Sequence, residues 1–228
     1  MEGRLFTFLG SIGGHGQEWI ILSHFVLVVG IVFLLARAAT KRLQLVPNGS
    51  QNLMEAYIGG VISMGADTMG EANARRYLPL IGSLGIVIVV SNLMGVIPGF
   101  ESPTANINFT LSLALIVFVY YNYVGIKTNG FINYFKHFMG PMPVLAPLMF
   151  PIEIISHISR IISLSFRLFG AIRGDDMFLM VLLMLVPWIV PLSGFFMLTA
   201  FGVLQAFIFM ILTYVYIAGS VMMAEEDH

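Results

Sequence analysis

Residues 177–224 read MFLMVLLMLVPWIVPLSGFFMLTAFGVLQAFIFMILTYVYIAGSVMMA, 48 positions without an Asp, Glu, Lys or Arg. Pro187-Trp188-Ile189-Val190-Pro191 interrupts this run, and proline ends or turns a helix. Downstream, 192–224 reads as one helix of about 50 Å. Upstream, prolines cluster at Pro141, Pro143, Pro147 and Pro151, and the next is Pro187. One helix can therefore run over 152–186, with Gly170 and Gly174 as weak points. It too is about 50 Å long, against a hydrocarbon core of about 30 Å. Such a helix must break or lie strongly tilted. The economical reading is an antiparallel hairpin of two long, tilted helices, suited to lying along a curved partner.

The rest of the chain has the same character. Residues 19–36, 77–100 and 102–126 are also uncharged, and each is long enough for one span of about 20 residues. Of the 228 residues, 58% are hydrophobic and 10% charged, where a soluble domain carries about 25% charged. A soluble globular domain and a disordered tail are excluded. The net charge of −1 leaves no basic footprint for nucleic acid. With no cysteine, disulfides and thiolate chemistry are excluded too. A polytopic membrane protein remains.

Lys and Arg set its orientation. Arg37, Lys41, Arg42, Arg75 and Arg76 lie in 37–76, and Lys127 and Lys136 flank the next connection. The Pro98–Asn108 connection between them has neither Lys nor Arg. The positive-inside rule puts the first two connections in the cytoplasm and the N-terminus outside. The polar, Gly-rich first 18 residues and the basic flank after Ala36 argue against a cleaved leader. Leu53, Met54, Tyr57, Ile58, Val61 and Met64 recur at helical spacing, while Asn52, Glu55, Asp67 and Glu71 stay polar. That pattern predicts an interfacial amphipathic helix.

The expected fold is all-α: about five membrane-embedded helices plus the interfacial one, in a single membrane domain over 1–228. Its parts are an external tail 1–18, a span 19–36, the interfacial helix 50–74 and spans 77–98 and 108–126. Long helices follow at 147–186 and 192–224, and then an acidic cytoplasmic tail, 225–228.

The chemistry concentrates in 151–176, PIEIISHISRIISLSFRLFGAIRGDD. Glu153, Ser156, His157, Arg160, Ser163, Arg167, Gly170, Ala171 and Gly174 recur at steps of three and four, predicting one polar or small face. Ile154, Ile155, Ile158, Ile161, Ile162, Leu168 and Phe169 make the other. Arg160 and Arg173 can snorkel to an interface, but Arg167 lies about 10 Å deeper. A guanidinium keeps its charge, so it is a poor proton carrier and a good fixed cation. It can hold a carboxylate ionised and bar a proton from passing directly. Glu153 on one side and Asp175 and Asp176 on the other would suit two offset aqueous routes separated by that barrier. The small residues beside Arg167 would admit another helix closely. A purely stabilising ion pair of Arg167 with Glu153, Asp175 or Asp176 is the plainer alternative.

Elsewhere the residues read plainly. His24 fits a hydrogen-bonded structural histidine, and the Met and Phe fit packing or lipid contact. No metal-ligand spacing, nucleotide fingerprint or nucleophile elbow occurs, so neither metal nor cofactor is expected. An independent transporter would favour paired repeats and broken helices, and no such pair is visible. An intramembrane enzyme lacks its nucleophile or metal.

SLSFRLFG at 163–170 and LQAFIFMILTYVY at 204–216 closely resemble signature segments of the a-subunit family of F-type ATP synthases. SNLMGVIPG at 91–99 and TANINFTLSLAL at 104–115 extend the similarity over most of the chain from Tyr77. The resemblance implies a non-catalytic stator subunit beside a rotating ring of c subunits, with two proton half-channels coupling proton flow to ATP synthesis. It implies as partners the c ring, the b-subunit peripheral stalk, the rest of the F-type ATP synthase and membrane lipid. It implies the bacterial inner (plasma) membrane, with the N-terminus outside and the C-terminus cytoplasmic. By the same resemblance Arg167 faces the ring carboxylate and Asp176 lies in the outer half-channel. Gln205 lies near the arginine, Glu153 and Ser156 belong to the cytoplasmic route, and Asn92 is a polar position on an earlier helix. Arg160, His157 and Asp175 are further possible members.

Three positions depart from the family pattern. Ala171 stands where Asn is usual, Leu198 where His or Glu is usual, and Arg160 where Lys is common. Asp175, Thr199, Tyr214 or ordered water can substitute in the outer route, and the sequence does not choose among them. A turn near Ile189 sets Gln205 opposite Gly174, about 10 Å along the helix from Arg167.

Overall fold

The computed structural model describes residues 17–41, 49–97, 99–130, 134, 146–185 and 190–222. They form six α-helices: α1 (Gln17–Thr40), α2 (Ser50–Met69), α3 (Glu71–Val96), α4 (Ile107–Asn129), α5 (Ala146–Leu185) and α6 (Val190–Met222). One 3-10 turn, Pro103–Ala105, lies between α3 and α4. Of the tail 1–18, only Gln17 and Glu18 are described, and they open α1. The Lys136 segment, residues 186–189 of the turn and the acidic tail lie outside the described residues.

Among the described residues four helices are long and apolar enough to cross a membrane: Trp19–Thr40, Glu71–Val96, Ile107–Asn129 and Leu192–Val221. The fifth long helix, α5, carries Glu153, Arg160, Arg167, Arg173, Asp175 and Asp176. It runs unbroken for 40 residues, through Pro151 near its start and through Gly170 and Gly174. Of the two outcomes open to a helix of this length, a break at those glycines does not occur. The helix continues on both sides of them, and a glycine mid-helix costs only about 1 kcal/mol.

The core is built where α3, α4, α5 and α6 face one another, from Ile81, Ile88, Val117, Leu164, Leu168, Phe209 and Ile217. Trp19, Phe33, Leu34, Val119, Met184 and Phe196 point outward and are exposed. Water would not tolerate so continuous an apolar exterior, and lipid does.

The interfacial helix ends sooner than its 50–74 pattern predicts. Gly70 adopts φ 80°, a left-handed conformation that ends α2 at Met69 and starts α3 at Glu71. The packing side of α2 overlaps the predicted one: Val61 is in the core and Tyr57 and Met64 pack against it, while Leu53 and Ile58 stay exposed. Val61, Gly65 and Met69 are buried, whereas Leu53 is 69% exposed. Gly65 fixes that phase: a Cβ there would lie 2.6 Å from the Tyr214 ring and 2.8 Å from the Ala74 methyl. Tyr57 donates from Oη to the Gly82 carbonyl at 2.7 Å, and burial pushes its phenol up to about 12.

The long helices form the expected antiparallel pair. Gly194 lies against Leu179 and Leu182, and Arg160 lies over the Tyr216 ring. This register sets Gln205 level with about Ala171, one turn or roughly 6 Å from Arg167. The interval is shorter than the sequence count, because Gly194 pairs with Leu179 and Leu182 and Tyr216 with Arg160.

Candidate functional site

The predicted stripe lies along one arc of the unbroken α5, but that arc is not uniformly open. It straddles the boundary between packed and open surface. His157, Leu164, Ser165, Leu168 and Ile172 are buried, and Ala171 is half-buried. Ser163, Arg167, Gly170 and Gly174 are exposed. Leu168, expected on the opposite side, is a core residue at 0% exposure. Contacts with α4 and α6 set this rotation, which periodicity within one helix does not specify.

Ser165 shows how the rotation is held. Its hydroxyl lies 3.1 Å from Thr110 Oγ1, and both residues are buried. Two residues further along a helix, the side chain points nearly the opposite way. Arg167 is thereby turned out of the bundle. No described residue forms a hydrogen bond, ion pair or ring contact with Arg167. The purely stabilising pair with Glu153, Asp175 or Asp176 is not formed. Around the guanidinium the surface is small and open: a Cβ on Gly170 or Gly174 would meet nothing within 4 Å. Gln205 is 6% exposed, and its Nε2 is buried without a hydrogen-bond partner.

Asn92 belongs to a buried clasp. Its Nδ2 donates to the Gly202 carbonyl at 2.8 Å, and its Oδ1 accepts from Thr104 Oγ1 at 2.6 Å. Ser102 Oγ donates to the Ser91 carbonyl at 2.9 Å. The α3–α4 connection is thus tied to the middle of α6. Beyond it, Asp175 and Asp176 are half-buried near the end of α5. Asp176 lies within electrostatic reach of Arg173, Glu101 and Asp175. Glu101 is an acidic neighbour that sequence reasoning used only to mark a loop.

A second cluster gathers toward the opposite end of α5. His157 Nδ1 lies 2.6 Å from Tyr121 Oη, and the two rings stack at an interplanar angle of 18°. His157 Nε2 lies 3.5 Å from Glu153 Oε1. The Arg160 guanidinium lies 5.6 Å from the Tyr216 ring centroid, an attractive arrangement. Ser156 is half-buried on the same stretch. Tyr134 donates to Asn122 Oδ1 at 2.7 Å beside this group. Tyr121, Tyr134 and Tyr216 do not stand out in the sequence, because a lone tyrosine in an apolar run carries no motif.

The substitutes considered for the outer route separate. Leu198 is buried packing. Thr199 donates to its own helix at Phe195, and Tyr214 reaches the Ala74 carbonyl at the start of α3. Only Asp175 lies beside Asp176. Among the described residues no group of His, Asp and Glu could hold a metal ion.

The fold and site define a polytopic membrane protein with a fixed cation on an open helix face, flanked by separate polar clusters. Residues 20–218 match the ATP synthase A chain family. The chain is 83% identical to ATP synthase subunit a of Aliarcobacter butzleri (strain RM4018), over 100% of both chains. It is 61% identical to ATP synthase subunit a of a Nitratiruptor species, again over 100% of both. With ATP synthase subunit a of Campylobacter jejuni subsp. jejuni serotype O:23/36 (strain 81-176) it shares 62% identity, over 98% of this chain and 99% of the other. The chain belongs to the ATP synthase A chain family. Its role is that of a proton-translocating subunit of the membrane sector, and not of a catalytic one.

Proposed function

We propose that this chain is the stator of the rotary membrane sector and that Arg167 is its electrostatic gate. The observation that carries the reading is an exposed, unpaired Arg167 near the middle of a 40-residue helix, on a strip of small residues. Facing lipid, that charge would cost about 3 kcal/mol or more. A partner that presents a carboxylate to the strip removes this cost, and the c-subunit ring supplies one. Ser163, Gly170 and Gly174 allow the ring helix to come close.

Two half-channels end at this strip. The outer one uses Asp176 and Asp175, with Asn92 framing it and Gln205 supplying a buried amide one turn from the arginine. The inner one uses Glu153 and Ser156, with Arg160 and His157 beside them. A proton from outside neutralises the ring carboxylate, which then leaves the field of Arg167. The ring turns, the proton departs by the inner route, and Arg167 holds the carboxylate ionised again. The long hairpin lies tilted along the curved ring. The b-subunit stalk holds the chain against reaction torque. The assembly sits in the bacterial inner membrane, with the N-terminus outside and the C-terminus cytoplasmic.

The test replaces Arg167 with Ala in the assembled complex and follows ATP-driven proton pumping in inverted vesicles. Leu198→Ala controls for packing damage. Loss of pumping with assembly intact is the expected result. Near wild-type pumping would overturn the reading.

A further inference from the structure

We propose that the surface shared by the start of α3 and the end of α4 is a seat for an anionic phospholipid. The orientation read from Lys and Arg, on which this part rests, sets the seat in the cytoplasmic leaflet. Arg75 and Arg76 are neighbours in sequence with different fates. Arg75 is paired with Glu71 at 2.8 Å. Among the described residues Arg76 of α3 and Lys127, in the last turn of α4, form no ion pair. Both lie over phenol rings instead. The Arg76 guanidinium is 5.8 Å from the Tyr77 ring centroid, and Lys127 Nζ is 5.9 Å from that of Tyr123. Tyr120 joins the two, because its ring meets Tyr77 edge-on at 6.3 Å and lies within electrostatic reach of Arg76 and Tyr123. A cation over a ring keeps its charge and its free N–H donors for an anion.

The charge alone would suit any anion, and the surface that continues it decides for a lipid. Ile116, Tyr120, Tyr123 and Lys127 recur at steps of four, three and four, which is one face of α4. Ile116 is 47% exposed, Tyr123 58% and Val119, beside them, 64%. That face covers about 16 Å of helix, the depth of one leaflet of a core about 30 Å thick. From the helix end inward it presents ammonium, phenol and aliphatic carbon. An anionic phospholipid presents phosphate, glycerol and acyl chain in the same order. A single interfacial Lys or Tyr calls for no lipid of its own. Here two unpaired cations from separate helices meet on linked tyrosines, above an apolar strip of one leaflet's length.

The test is native mass spectrometry of the full chain released from detergent, titrated with dioleoylphosphatidylglycerol or dioleoylphosphatidylcholine. Phosphatidylglycerol should bind about thirtyfold tighter, about fivefold for each cation. Arg76→Gln and Lys127→Gln should each cut that preference about fivefold, and the double variant should abolish it. Arg76→Lys and Lys127→Arg should keep most of it, and Lys41→Gln all of it. Equal binding of the two lipids by the wild type, or an unmoved preference in the double variant, would overturn the proposal. Displacement of the lipid by millimolar inorganic phosphate would make this a site for soluble phosphate, and would overturn it too. The assembled wild-type complex should retain more phosphatidylglycerol than the double variant. Equal amounts would mean that another subunit covers the surface, again overturning the proposal. If the double variant does not fold, Lys127→Gln decides alone. The orientation is tested separately, by Thr128→Cys in the otherwise cysteine-free chain. An impermeant maleimide should label it in inverted vesicles and not in right-side-out ones. The reverse pattern, with the lipid preference intact, would defeat the orientation and move the seat to the other leaflet.

Discussion

The two halves of α5 treat their polar side chains in opposite ways. In the first, Glu153, His157 and Arg160 are answered from within the chain, by one another and by Tyr121 and Tyr216 of neighbouring helices. In the second, the line from Ser163 through Arg167, Gly170 and Gly174 meets open space. Buried polar groups in folded proteins find partners. A charge left without one in a membrane marks a place that another chain completes. The first half is therefore completed from within the chain, and the second half is an unfinished contact.

The sharpest break in that comparison is at Arg167. Arg167→Ala should lower ATP-driven pumping by about two orders of magnitude or more, with assembly judged by co-purification. Asp176→Asn comes next, with an expected loss of about tenfold or more in vesicle acidification. Asp176→Glu should recover most of it, and Glu101→Gln should cost less than Asp176→Asn. Asn92→Ala acts on stability: two buried hydrogen bonds go, leaving Thr104 Oγ1 and the Gly202 carbonyl without the amide. That should cost about 2 kcal/mol, read as a lower melting temperature of the purified complex. The smallest effect is expected at the Thr110–Ser165 pair. Ser165→Ala together with Thr110→Val replaces both hydroxyls and should change stability by less than about 1 kcal/mol. A large loss of pumping in that double variant would mean that the hydroxyl pair, beyond packing, sets the aim of Arg167.

Much of this architecture is legible in the order of residues. Uncharged runs mark the spans, prolines bracket the hairpin, and Arg167 stands out by its depth between Arg160 and Arg173. Helical spacing gathers the polar residues of α5 into an arc but cannot choose which edge of it is buried. That choice belongs to Ser165, Leu168 and their partners on α4 and α6. The same blindness applies to α2: Leu53 and Ile58 fit the apolar pattern yet stay exposed, whereas Gly65, outside that pattern, is buried against the Tyr214 ring. Tyr121 and Glu101 escape sequence reading for another reason. Each acts through a residue far away in sequence, and only the packed chain brings them together.

The unbroken α5 has a consequence for biogenesis. Arg160, Arg167 and Arg173 each oppose entry into lipid by up to about 3 kcal/mol on insertion scales. α5 is absent from the helices that qualify as spans on composition, whereas α6 qualifies over Leu192–Val221. The expected outcome is that α5 does not insert on its own and enters the bilayer paired with α6. A nascent chain stopped before Val190 should therefore leave α5 open to protease on the cytoplasmic side, and one extended through Met222 should protect it. Equal protection of both would show that α5 inserts alone.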